Sequence, residues 1–154
     1  MIKTSKTEIK NYWNTLKPDE NLTATTCWCC GIKKRLDRCH IVAHSNEGSD
    51  EPQNFVLLCK HCHIDSPNTH DPVYMWKWLD YYRKRPYKDL WFYLGVMEYE
   101  RVFNASFEEA IYHKQDIFKE ELNNAIKTVP RHFGQPSINA SSVAGIIHEV
   151  IERI

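Results

Sequence analysis

Two short cysteine pairs constrain this chain more than anything else in it. Cys27-Trp28-Cys29-Cys30-Gly31 and Cys59-Lys60-His61-Cys62 carry the same CxxC spacing. Each such turn presents two thiolates, and zinc takes four of them in a closed tetrahedron. Cys27, Cys30, Cys59 and Cys62 are therefore assigned to one structural Zn2+. Gly31 directly after Cys30 suits a tight knuckle, because glycine tolerates positive φ. Cys29 is then a spare thiol, and pairing it with Cys27 instead would make a poorer turn. All six cysteines lie between residues 27 and 62. The opening stretch MIKTSKTEIK has no apolar run behind its lysines. A secretory signal is not expected, nor are disulfides, and the expected compartment is the cytoplasm.

Around the cysteines the composition is that of a globular domain: 154 residues, 42% hydrophobic and 12% aromatic. Formal net charge is zero, which by itself argues against broad non-specific nucleic-acid binding. The charge is unevenly spread. Residues 1 to 90 hold 14 Lys and Arg against 11 Asp and Glu, and residues 91 to 154 hold 6 against 9. Lys33, Lys34, Arg35 and Arg38 form one basic cluster, and Arg83, Lys84, Arg85 and Lys88 a second. Both are candidates for phosphate contact, and ordinary solvated surface is the competing reading.

The periodicities place these features on elements. Ser5-Lys6-Thr7-Glu8 has capping-box spacing, and Ile9, Tyr12, Trp13 and Leu16 follow at helical intervals. A helix over 5–17 is predicted, ending near Pro18. Residues 21 to 60 contain two β-type runs, CHIV and NFVLLC, joined by the polar loop SNEGSDEPQ. They predict a hairpin with a long loop. A short helix is expected from about Lys60 to before Pro67, then helices from Pro72, over about Lys88 to Val102, from the capping box at Ser106 to about Lys127, and from Ser141 to Arg153. Pro130, Gly134 and Pro136 punctuate the last connection. The expected fold is α+β: an N-terminal helical segment (1–20), a β-containing zinc module (21–72) and a helical extension packed on it (73–154).

Within that module the sequence resembles a known family. Arg38-Cys39-His40-Ile41-Val42, then Gly48-Ser49-Asp50, then Asn54-Phe55-Val56-Leu57-Leu58-Cys59 and Cys62-His63 look like the HNH endonuclease motif on a ββα-metal fold, in its zinc-knuckle form. The resemblance covers about residues 27 to 67. It implies that His40 is the general base, that Asn54 braces the loop and orients that base, and that His63 holds a catalytic divalent cation, Mg2+ or Mn2+. His61, inside the knuckle, is read as a surface residue. The residue types suit phosphodiester hydrolysis, since a neutral imidazole can accept a water proton near pH 7. Many family members carry Asp immediately before the first histidine as a second metal ligand, and here Cys39 stands in that place. A thiol is a poor ligand for a hard cation. Asp37 and His44 are the nearest replacements, although Asp37, three strand positions from His40, should face the other way.

The function these observations favour is a metal-dependent endonuclease acting on DNA, in a setting such as restriction or defence. The alternative is a non-catalytic zinc module that binds nucleic acid or protein. At the C-terminus, Val143, Ile146, Ile147, Val150, Ile151 and Ile154 form one apolar helical stripe. It suits either packing against the chain's own helices or a homodimer seam.

Overall fold

The computed structural model describes residues 4–130 and 138–154. The expected turn signals at Gly134 and Pro136 lie outside the described residues. The chain divides into two compact units, residues 1–84 and 85–154.

The first unit is built on an antiparallel hairpin. β1 (Leu36–His40) pairs with β2 (Phe55–Cys59), with Leu36 opposite Cys59 and His40 opposite Phe55. Every residue of β2 is buried, as expected for an unbroken FVLLC run covered on both faces. One cover is α1 (Lys6–Leu16), which packs on β2 and on the short 3-10 turn Pro52–Asn54. Its capping box forms in full: Ser5 accepts from the Glu8 N–H, and Glu8 accepts from the Ser5 N–H. Ile9 is fully buried, and Trp13 Nε1 donates to the Phe55 carbonyl at 2.7 Å. β2 runs directly into α2 (Lys60–Ile64). α3 (Pro72–Arg83) begins at a proline, with Asp71 capping the Val73 N–H, where a missing N–H costs nothing. It buries Met75 and Leu79. The Trp76 ring lies 4.5 Å from Trp13 and 6.4 Å from Trp28, so three indoles tie α1, α3 and the first knuckle together.

The second unit is helical: α4 (Leu90–Phe103), α5 (Phe107–Ala110), α6 (Gln115–Thr128) and α7 (Ala140–Arg153). Asp89, Ser106 and Asn139 cap α4, α5 and α7. The single helix expected from Ser106 to Lys127 is in fact two. His113 adopts φ +62° and breaks it. Phe107, Ile111, Phe118 and Leu122 all reach one core across the break, and their i, i+4, i+11, i+15 spacing would also suit one face of a continuous helix. The C-terminal stripe settles in this same core. Val143 and Ile146 are 6% exposed, and Ile147 and Val150 are fully buried. α7 packs on α4 and α6, so the buried part of the stripe is covered by its own unit, with Ile151 and Ile154 partly buried against the same core. No helix among the described residues is long and apolar enough to cross a membrane.

Candidate metal centre and active site

The first knuckle is a tight turn held by backbone bonds. The Cys27 N–H donates to the Ile32 carbonyl and the Gly31 N–H to the Cys27 carbonyl, both at 3.0 Å. Gly31 sits at φ +74°, a conformation that side chains with a Cβ adopt only under strain. The Trp28 N–H donates to the Leu57 carbonyl at 3.0 Å, docking the knuckle on β2. The second knuckle needs no separate turn: Cys59 ends β2 and precedes α2, and Cys62 lies within that helix.

Cys27, Cys30, Cys59 and Cys62 thereby converge. Their sulfurs all lie within 4.8 Å of one another and all four residues are buried. Cys30 Sγ and Cys59 Sγ are 3.9 Å apart. A zinc tetrahedron with bonds of ~2.3 Å has sulfur–sulfur edges of ~3.8 Å, so the donor set fits Zn2+ in type and spacing. The Cys30 thiol, followed by those of Cys59 and Cys62, holds the Cys27 thiol well below its ordinary pKa. The Cys59 N–H, 3.2 Å from Cys27 Sγ, acts in the same direction. Cys27 in turn pushes the Cys30 and Cys62 thiols up, so the clustered sulfurs share protons that zinc binding would release. Among the described residues this is the one group of three or more His, Cys, Asp or Glu with metal-ligand convergence. Cys29 is buried but outside it.

His40 closes β1 at the mouth of the loop that leads to Asn54. Its ring packs on Phe55 with centroids 4.3 Å apart, and its Nε2 lies 3.1 Å from Asp50 Oδ1. The His40 hydrogen bond, above all, holds the Asp50 carboxyl below its ordinary pKa. Asn54 is buried and uses its whole amide. Oδ1 accepts from the Val42 N–H at 2.9 Å, and Nδ2 donates to the Val42 and Ser49 carbonyls at 2.9 and 2.8 Å. The Ile41 N–H donates to the Asn54 carbonyl at 2.8 Å. Asn54 thus cross-braces both ends of the loop. Gly48 is part of the same closure, because a Cβ there would meet the Val42 carbonyl oxygen at 1.8 Å.

His63, on α2, has its Nδ1 3.5 Å from Asp37 Oδ2, and both side chains are about two-fifths exposed (39% and 41%). The pleat puts Asp37 and Cys39 on one face of β1 and His40 on the other. Asp37 does point away from His40, as expected, but that direction brings it to His63. Cys39 shares the Asp37 face yet is buried, with its Sγ 3.3 Å from Ser66 Oγ. Burial pushes its thiol pKa up to about 11, so it remains a neutral thiol. The contacts therefore sort the candidates into two pairs, His40 with Asp50 and His63 with Asp37. The Asp50 partnership was not legible in the sequence. Its only trace is an acidic residue in the Gly48-Ser49-Asp50 stretch, and the loop's shape decides where that residue points.

The basic clusters are not uniform. Lys33, Lys34 and Arg35 are exposed. Arg38 is half-buried, with Nη1 donating to the Thr4 carbonyl at 2.8 Å. Arg83 is committed inside the first unit: Nε donates to the Trp28 carbonyl at 2.6 Å, and Nη1 pairs with Glu20. Lys84 and Lys88 are exposed, and Arg85 Nη2 donates to the Lys88 carbonyl at 2.6 Å.

Neither the comparison with curated proteins nor that with solved structures gives a match. Residues 27–68 match the family described as HNH endonuclease. Those residues hold both knuckles, the hairpin and α2, so the chain carries an HNH endonuclease domain built around a four-cysteine cage.

Proposed function

We propose that this chain is a metal-dependent endonuclease that hydrolyses DNA phosphodiester bonds, with His40 as general base and His63 as ligand of the catalytic cation. The observation that carries this reading is the placement of His40, Asn54 and His63 inside the matched segment, with Asn54 bonded across the loop that His40 opens. In this reading His40 takes a proton from water, the resulting hydroxide attacks phosphorus, and the bond to the leaving oxygen breaks. Positioned base catalysis of this kind is worth about 10²–10⁴ in rate. A Mg2+ or Mn2+ ion would supply charge neutralisation on the phosphate and leaving oxygen. The imidazole of His63 and the carboxylate of Asp37 fit such an ion, being half-exposed and close together with room for water ligands. Cys39 does not fit, since its thiol is buried and bonded to Ser66. A role in restriction or defence belongs to the same proposal.

A second reading is a non-catalytic zinc module, and Cys39 in place of the usual aspartate is the observation that favours it. A plasmid-nicking assay separates the two. The zinc-loaded protein should cut in Mg2+ or Mn2+ and stop cutting when that ion is withheld. His40→Ala, with zinc content and fold intact, should lose cleavage. A zinc-loaded wild type that never nicks would leave the binding module as the better description.

A further inference from the structure

We infer that Asp50 is the positioning residue for His40, holding its ring so that Nδ1 is the nitrogen that takes the proton. The inference rests on the nuclease reading above and adds a residue to it. His40 Nε2 and Asp50 Oδ1 are 3.1 Å apart, the distance of a direct hydrogen bond. A carboxylate can only accept, so in the neutral imidazole the Nε2 atom carries the hydrogen and Nδ1 the lone pair. No hydrogen bond to Nδ1 occurs among the described residues.

The carboxylate is in turn held in place. The Thr4 hydroxyl donates to the Asp50 carbonyl, and Asn54 Nδ2 donates to the carbonyl of the preceding residue, Ser49. The loop is therefore fixed on both sides of the peptide that carries Asp50. Phe55 covers the imidazole at 4.3 Å between centroids, which restricts the ring's tilt while Asp50 restricts its spin. An imidazole free to rotate would present either nitrogen. One clamped at Nε2 presents the same atom each time, and a positioned base depends on that constancy.

The test has a spectroscopic arm and a kinetic arm, both on the full zinc-loaded chain. In the first, 15N imidazole shifts of neutral His40 should report the Nε2–H tautomer alone in the wild type. Asp50→Ala should give a mixture of tautomers, and Asp50→Glu should restore most of the single form. In the second, Asp50→Ala should lower kcat for plasmid cleavage by roughly 10–100-fold, taking as a guide the loss when a metal-ligating histidine loses its outer hydrogen-bond partner. KM should change little, and Asp50→Ala should add no further loss in a His40→Ala background. Unaltered His40 shifts in Asp50→Ala, or full turnover by Asp50→Ala beside an inactive His40→Ala, would overturn the inference and leave the nuclease reading standing. Wild-type cleavage by His40→Ala would remove His40 as the base, and the role of Asp50 with it.

Discussion

Cys30 Sγ and Cys59 Sγ lie 3.9 Å apart although 29 positions separate them in the chain. Metal analysis should find about one tightly held zinc per chain. Zinc binds structural peptides with roughly 10–16 kcal/mol, comparable to or larger than the ~5–15 kcal/mol by which a whole domain is stable. Cys62→Ser should therefore lose both the zinc and the cooperative unfolding of residues 1–84. Calorimetry with elemental analysis checks this, and a zinc-free Cys62→Ser protein with the wild-type transition would contradict it.

On the proposed reading, the His63–Asp37 pair is where an exchangeable cation would bind. Mn2+ titration followed by paramagnetic resonance, on zinc-loaded protein without DNA, should show affinity reduced by at least about tenfold in His63→Ala and in Asp37→Asn. Cys39→Ala should bind Mn2+ as the wild type does, because its sulfur faces Ser66. Equal affinity in Asp37→Asn and the wild type would return the second ligand to the solvent.

Gly48 should tolerate no side chain. Its Cβ position is 1.8 Å from the Val42 carbonyl oxygen and 2.8 Å from Asn54 Nδ2, and the first of these is backbone that must move. Gly48→Ala should cost about 1–3 kcal/mol, the usual range for overpacking, seen as a lower denaturation midpoint. His40 should loosen from Asp50 in the same variant. An unchanged midpoint would mean that the loop has slack.

In the second unit, Ile147 is fully buried. Ile147→Asp would leave a carboxylate without a partner in an apolar core, which costs several kcal/mol. The expected outcome is loss of helical circular dichroism from residues 85–154. A change in solution mass with full helicity retained would instead mean that the stripe joins two chains.

The two basic clusters should behave differently. Neutralising Lys33, Lys34 and Arg35 should flatten the salt dependence of DNA binding, by roughly 0.9 in log–log slope for each phosphate that is no longer neutralised. Arg83→Ala should act mainly through stability, since its guanidinium joins Glu20 and the Trp28 carbonyl. Binding isotherms at several salt concentrations, paired with thermal melts, separate these effects. An unaltered slope in the triple variant would make those residues plain surface.

What the sequence made legible follows range of interaction. The four-cysteine cluster was readable because CxxC spacing encodes turn geometry locally, and the α1 cap because Ser5 and Glu8 sit three apart. β2 was readable from FVLLC and its flanking asparagine. The pairings that build the candidate site were less accessible. Asp50 reaches His40 only because Gly48 and Asn54 fold the loop back, and no local periodicity reports that. The pleat indicated that Asp37 faces away from His40, but not that α2 would bring His63 to the same side. The break at His113 was missed for a related reason. His113 takes a left-handed backbone with neither glycine nor proline to announce it, and Phe107, Ile111, Phe118 and Leu122 keep helical spacing on both sides of it.

The indole of Trp13, the guanidinium of Arg83 and the hydroxyl of Thr4 each donate to a carbonyl inside the matched stretch, at Phe55, Trp28 and Asp50. None of the three donors lies between residues 27 and 68. A chimaera cut at the edges of the recognisable motif would strand those carbonyls, and at the buried residues Phe55 and Trp28 an acceptor left unpaired costs about 1–3 kcal/mol. The junctions for moving this domain into another protein therefore fall before Thr4 and after Arg83. The motif alone is not a transplantable part.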